Sequence, residues 1–306
     1  MLDKLRILAG SSILLTILAI SWQWHRAYAQ EIMRISDLPN YGLTLLSSQD
    51  HDFERLLTTV LGNETTPETD SLKPYTVVLR NNSTKTLVAY SLRWEYTNPE
   101  GRRIHVDYSD GEITRLLDGA TRKPTTEYSK AGPTLEPHSF VIVTPSMALK
   151  TNSGSRERAS DPAYKNVLQR LNSRFSQGRD ISVTVDGAVF EDGTFVGQNA
   201  THLFEKFGAE LRAEQKLIEE VVLAAQQNRN MGDVVREIQA SLPSSPPQLY
   251  FAPDGELSGY DEYYRYQYTS RFVSIYRNSG EKSALEWAQS NLFRNTPKLI
   301  SLGAKE

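Results

Sequence analysis

Five histidines, no cysteine and scattered serines and carboxylates are the raw material for chemistry in this chain of 306 residues. His105 and Asp107 stand two apart in RRIHVDY, a spacing that puts both on one face of a strand, as a metal pair or an acid–base pair needs. The same alternation assigns Ile104, Val106 and Tyr108 to the core, so His105 and Asp107 are expected to face water as a solvated pair. Asp50-His51-Asp52 offers three ligand-type side chains at consecutive positions, where they diverge. An N-cap for a helix beginning near Phe53 accounts for them better. His202 and Glu205 lack the second histidine of the helical zinc spacing, so His202 reads as an ordinary first-turn residue. Ser146, in TPSMAL, lacks the flanking glycines of a nucleophile elbow. Glu219-Glu220 falls on an exposed helix face, and the glycines are dispersed through turns and helix ends rather than gathered into a phosphate loop. No catalytic residue, metal ligand or cofactor site is expected from these patterns.

Tyrosine supplies the more pointed signal. Six of the fifteen tyrosines lie between Tyr260 and Tyr276. Tyr260, Tyr264, Tyr268, Phe272 and Tyr276 recur every four residues, which places them on nearly one face of a helix. That stripe is expected to pack against another helix. Tyr263 and Tyr266 fall outside it and are the candidate interaction surface, because tyrosine combines rigid contact area with a polar tip.

These residues must be carried by elements the pattern also indicates. Ile181, Val183, Val185 and Val189 alternate with polar positions, the period of a half-buried strand. Asp192-Gly193 then predicts a two-residue hairpin that sets Phe190 against Phe195 and Val189 against Val196. This hairpin, Ile181 to Gly197, is expected to be the last β element. Upstream, Tyr75, Val77 and Leu79 alternate. Val88, Tyr90, Leu92, Trp94 and Tyr96 share one strand face, and Asn98-Pro99-Glu100-Gly101 suits a type I turn before Arg102–Tyr108. Phe140 to Thr144 is apolar on both faces, as a central strand would be. Helices are predicted over 52–61, over 161–177 with proline at its first position, and over 200–227 with Asn199 as cap. Further helices are expected over 232–240, 259–278 and 281–294.

The stretch Leu135-Glu136-Pro137-His138 before the Phe140 strand resembles the immunoglobulin-like sandwiches of many exported bacterial proteins. Together with VFEDGTFVG it is similar to a group of such proteins without an assigned activity, over roughly residues 75–225. The resemblance implies a fold and transfers no site residue. The expected fold class is α+β: an antiparallel immunoglobulin-like β-sandwich with an inserted helix, followed by a helical C-terminal region. The expected divisions are a signal peptide (1–29), an N-terminal segment with a short helix and linker (30–74) and the sandwich (75–197, its helical insertion near 161–177). A long and a short helix (198–242) follow, then a proline-rich linker with C-terminal helices (243–306).

Lys4 and Arg6 precede an uncharged run from Ile7 to Ile20, and Ala27-Tyr28-Ala29 fits a small-x-small cleavage site. That run is short for a membrane span, although Trp22 and Trp24 would suit the headgroup level of an uncleaved anchor. Without cysteine neither a disulfide nor a lipidated cysteine can form, so an exported chain must rely on its core. The formal charge of −3 includes +2 from the first 29 residues (Lys4, Arg6 and Arg26 against Asp3), leaving −5 for the remainder. An acidic balance argues against nucleic acid as partner. The expectation is a non-enzymatic interaction or structural module of the bacterial cell envelope, periplasmic or extracellular, with a protein partner. The alternatives are an envelope hydrolase whose site is assembled from distant residues, and a scaffold anchored in the inner membrane by its N-terminal helix. Cleavage is predicted after Ala29: mass spectrometry of the exported protein should find a chain beginning at Gln30, and one beginning at Met1 would indicate the anchored form.

Overall fold

The computed structural model describes residues 33–61, 72–111, 134–148, 162–245, 247, 259–292 and 299–302. The expected signal segment, all but the last two residues of a polar linker expected at 63–73, and a loop expected at 150–160 lie outside the described residues. Within them the chain is α+β, with nine strands in two sheets and five α-helices.

The larger sheet runs in the order β5 (Arg103–Gly111), β4 (Leu87–Thr97), β7 (Arg179–Phe190), β8 (Thr194–Gly197), β9 (Ile300–Ser301). A short strand β1 (Arg34–Ser36) lies parallel to β7, with Ile35 opposite Val183. The smaller sheet is β2 (Leu43–Leu46), β3 (Val77–Asn81) and β6 (Phe140–Val143), all antiparallel. The expected N-terminal segment thus contributes a strand to each sheet. Short strands with few alternations leave little periodic trace.

Three apolar clusters stack these elements into layers. Leu43, Leu45, Val77 and Leu79 of the small sheet meet Tyr90, Leu92, Trp94, Val183 and Val185 of the large one. Helix α2 (Pro162–Gln177) closes that core with Leu168, Leu171 and Phe175. On the outer side of the small sheet, Val78 and Ile142 lie under Phe53, Leu56 and Leu57 of α1 (Phe53–Leu61). On the far side of the large sheet, Val88, Ala89, Val189 and Phe195 support α3 (Leu203–Gln226), α4 (Met231–Ala240) and α5 (Tyr260–Leu292). Helix α5 breaks at Gly280 (φ +83°), so the two helices expected from sequence are both present.

Several sequence expectations shift in register or position. The hairpin pairs Val189 with Phe195 and Ala188 with Val196, one residue away from the expected pairing. Its loop has three residues, Glu191 to Gly193, closed by a bond from the Gly193 amide to the Phe190 carbonyl (2.9 Å). Gly193 sits at φ +81°, the left-handed position that a three-residue loop requires. Because side chains alternate across a strand, this places Val189 and Phe195 together on the helical side, and Ala188 and Val196 on the side facing the small sheet. Val88 likewise leaves the expected Tyr90–Trp94 face. A register break between Leu87 and Ala89 turns it toward the helices. The Phe140 strand is an edge of the small sheet, not a central strand. It is apolar on both faces because its sheet lies between α1 and the large sheet. Nor is the hairpin the last β element: β9 returns to pair parallel with β8 through Thr194–Ile300 and Phe195–Ser301.

Trp94 anchors the shared core. It is fully buried, and its indole Nε1 donates to the Tyr75 carbonyl at 2.9 Å, satisfying its polar edge. Trp94→Ala should therefore cost about 3–5 kcal/mol in denaturant unfolding. An unchanged midpoint would place the residue outside the cooperative core.

Candidate functional site

The connection from β8 into α3 is set by a buried charge. Asp186 is only 1% exposed, and its carboxylate accepts the amides of Ala200 (2.9 Å) and Thr201 (2.7 Å). Gly197 lets the chain turn there at φ +116°; a Cβ would stand 2.3 Å from the Asp186 carbonyl. Helix α3 starts at Leu203, later than the expected Ala200, because Ala200 and Thr201 are held by Asp186. Asn199 nevertheless caps it: its Oδ1 accepts the Phe204 amide (3.0 Å) and its Nδ2 donates to Glu205 (2.6 Å). Arg93 completes the junction, donating to the Ala200 carbonyl (3.0 Å) and gripping Asp107 through two bonds of 2.7 and 2.9 Å. The bond to Asp107, offset in part by burial, raises the affinity of the Arg93 guanidinium for its proton.

Helices α3 and α5 form the seam on which the tyrosine stripe lies. Tyr260, Tyr268 and Phe272 are buried, and Tyr264 and Tyr276 pack half-buried against the same cluster, as the four-residue spacing predicts. The seam is not wholly apolar. The Tyr268 hydroxyl donates to Glu210 Oε1 at 2.9 Å, and Glu214, one turn further along α3, is 2% exposed. Burial pushes the Glu210 carboxyl up to about 7, against a smaller opposing pull from the Tyr268 hydroxyl. Burial first, then the nearby carboxylates, raises the Tyr268 phenol well above its ordinary range. Neither glutamate is apparent from a residue-type search. Helical phase could have found them, since Phe207, Glu210, Glu214, Leu217 and Val221 continue one stripe at steps of three and four.

Beside this seam lies a groove of about 310 Å³. Ala213 and Leu217 of α3 and Ile238 of α4 form its apolar floor, and Thr269 of α5 lines it. Charged side chains of both signs rim it. Among them, Arg212 and Asp261 join across the rim at 3.0 Å, while Arg265 reaches Ser241 Oγ at 3.1 Å. Glu262 also lines the groove. Tyr266 follows it by one turn, and Tyr263 lies three residues before Tyr266; neither tyrosine lines the groove itself. Both are half-buried, and the Tyr263 ring meets Tyr264 edge-on, with centroids 5.3 Å apart.

The remaining candidates are held in structural roles. His105 is exposed, 3.9 Å from an Asp107 already committed to Arg93. Asp50 accepts the Ser47 amide (2.7 Å), and its carbonyl accepts the Phe53 amide, opening α1. Asp52 bonds Arg55 and also approaches Arg80, and the bond from Arg55 holds its carboxyl below the usual range. His202 is the left-handed residue (φ +57°) before Leu203 and gives no side-chain cap. Ser146 Oγ shares a short hydrogen bond with Thr144 Oγ1 in a 3-10 turn. Glu219 and Glu220 are exposed. No group of three metal-ligating side chains converges among the described residues. Comparison with protein-family models, curated proteins and solved structures found no match.

The two tyrosine sets should separate on substitution. Tyr268→Ala removes a buried ring and its cross-seam bond and should cost about 3–5 kcal/mol. Tyr263→Ala and Tyr266→Ala, at the half-buried margin, should each cost roughly 1 kcal/mol or less. Thermal unfolding of the three variants checks the ordering, and equal losses would mean that the helix is enclosed on every side.

Proposed function

We propose that the protein is an exported, non-enzymatic interaction module of the bacterial cell envelope, in which stacked sheets of immunoglobulin-like sandwich type support a helical recognition face. The observation that carries this reading is the groove between α3, α4 and α5, where an apolar floor meets a charged rim, with half-buried Tyr266 one helical turn beyond the rim residue Glu262. An apolar centre inside a polar frame is the anatomy of a protein-binding surface. The N-terminal basic and apolar segment with its Ala27-Tyr28-Ala29 site supports export. Among the described residues no helix is long and apolar enough to cross a membrane. The partner in this reading is another envelope protein, and the sandwich is the scaffold that orients the helices.

A photo-crosslinking amino acid at Tyr266, compared with one at exposed Glu100 in the β4–β5 turn, tests this in intact cells. A discrete crosslinked species from position 266, absent from position 100 and diminished by Leu217→Glu in the groove floor, is the expected result. Equal, diffuse labelling from both positions would overturn the assignment of the surface.

A further inference from the structure

The α3–α5 seam contains more ionisable groups than packing requires. Glu210 and Glu214 stand one turn apart on α3, both turned into the seam, and both act electrostatically on the same Tyr268 hydroxyl. The groups facing Glu210 can be named by element. From α5 come Tyr268, bonded to it at 2.9 Å, and Tyr264, whose phenol is raised by burial and then by the Glu210 charge. Arg271, also on α5, acts on the Tyr268 phenol. On α3 itself, Glu214 lies one turn ahead. Lys206 lies one turn behind, with its Nζ donating to the Thr201 carbonyl (2.7 Å) and standing 5.9 Å from the Tyr260 ring centroid. From the β9 end, Leu299 approaches the backbone at Gly208 and is apolar.

A carboxylate at Glu210 is costly in such a seam, because packing against α5 strips water from it. A protonated carboxyl avoids that cost. It still accepts the Tyr268 hydrogen bond through its carbonyl oxygen, and its own O–H becomes available as a donor.

We propose that the α3–α5 seam is a proton-controlled joint: uptake of a proton by Glu210, where it meets Tyr268, tightens the two helices against each other, and its loss loosens them while the sheets stay intact. The inference does not depend on the recognition reading. It rests on the bond between Glu210 and Tyr268 across the seam, and the titration of Glu210 near 7 supplies the pH range. A carboxyl held more tightly by its proton when folded stabilises most below its unfolded value, near 4.5, and that contribution fades as pH rises through about 7. The joint is therefore expected to be tight at pH 5.5 and loose at pH 8.

Hydrogen exchange of the full exported chain, corrected for intrinsic rates and followed peptide by peptide at both pH values, reads the opening directly. In the wild type, opening of α3 and the first half of α5 should rise on the order of tenfold or more from pH 5.5 to 8, with β4 and β7 unchanged. Glu210→Gln, which keeps the acceptor but cannot ionise, should stay protected at both pH values. Glu219→Gln, on the exposed face, should behave as the wild type. A wild type with no pH dependence in α3 and α5, or a Glu210→Gln variant that keeps the dependence, overturns the proposal. Should Glu210→Gln fail to fold, carbon-13 titration of the Glu210 side chain in the wild type decides: a midpoint between 6 and 8 supports the joint, and one below 5 overturns it.

Discussion

Burial on both sides of β7 is the constraint from which the rest of the architecture follows. From Asp186 to Phe190 every residue of that strand is buried, although alternate side chains point to opposite faces of the sheet. A strand so placed needs a cover on each side. The small sheet with α2 provides one, through Leu45, Val77, Leu79 and Phe175, and α3 with α5 provides the other, through Phe207, Val221 and Phe272. The small sheet faces the same demand on its outer side, and α1 answers it with Phe53 and Leu57. The layered order is thus a chain of surfaces, each too apolar to face water.

Where β7 meets the helical layer, apolar covering gives way to a polar junction that sets direction. A buried carboxylate survives only when its lone pairs are taken up, and Asp186 is satisfied by two consecutive amides that would otherwise be unpaired before α3. Arg93 fastens the following carbonyl from the neighbouring strand and is itself held by Asp107. These bonds tie β4, β5 and β7 to the first turn of α3, so the helix leaves the sheet at one fixed place. Two residues with left-handed backbone, Asn199 and His202, lie in this connection, and Asn199 also bonds the first turn. Such conformations are tolerated when surrounding bonds over-determine them.

The groove and the tyrosine seam are two sides of one pair of helices. Ala213, Leu217 and Thr269 face the groove, while Glu210, Tyr264 and Tyr268 face the seam. Any change in the spacing of α3 and α5 therefore alters both at once. Recognition surfaces built on packed helices have this property in general: the side chains that would meet a partner share a backbone with the side chains that hold the fold.

Local pattern alone determined the elements: the alternation in Leu87–Thr97, the proline that opens Pro162–Gln177, and the four-residue row from Tyr260 to Tyr276 each correspond to an element in the structure. It also placed His105 on the solvent side, because its neighbours that claim the core are apolar; Asp107, expected there too, is instead half-buried against Arg93, because the helical layer begins to cover that face of the sheet. What it could not decide was anything that depends on a second element. Gly193 is compatible with a two- or a three-residue loop, and the pairing of Val189 with Phe195 follows from which face the helices cover. The bulge that turns Val88, the edge position of Phe140 and the return of Ile300 to β8 are likewise decided by neighbours far along the chain. The seam shows the same division most plainly. Glu210 and Glu214 look like ordinary helix-surface acids by residue type, and only tertiary packing buries Glu214 and sets half-buried Glu210 against Tyr268, since burial is a property of two surfaces and never of one.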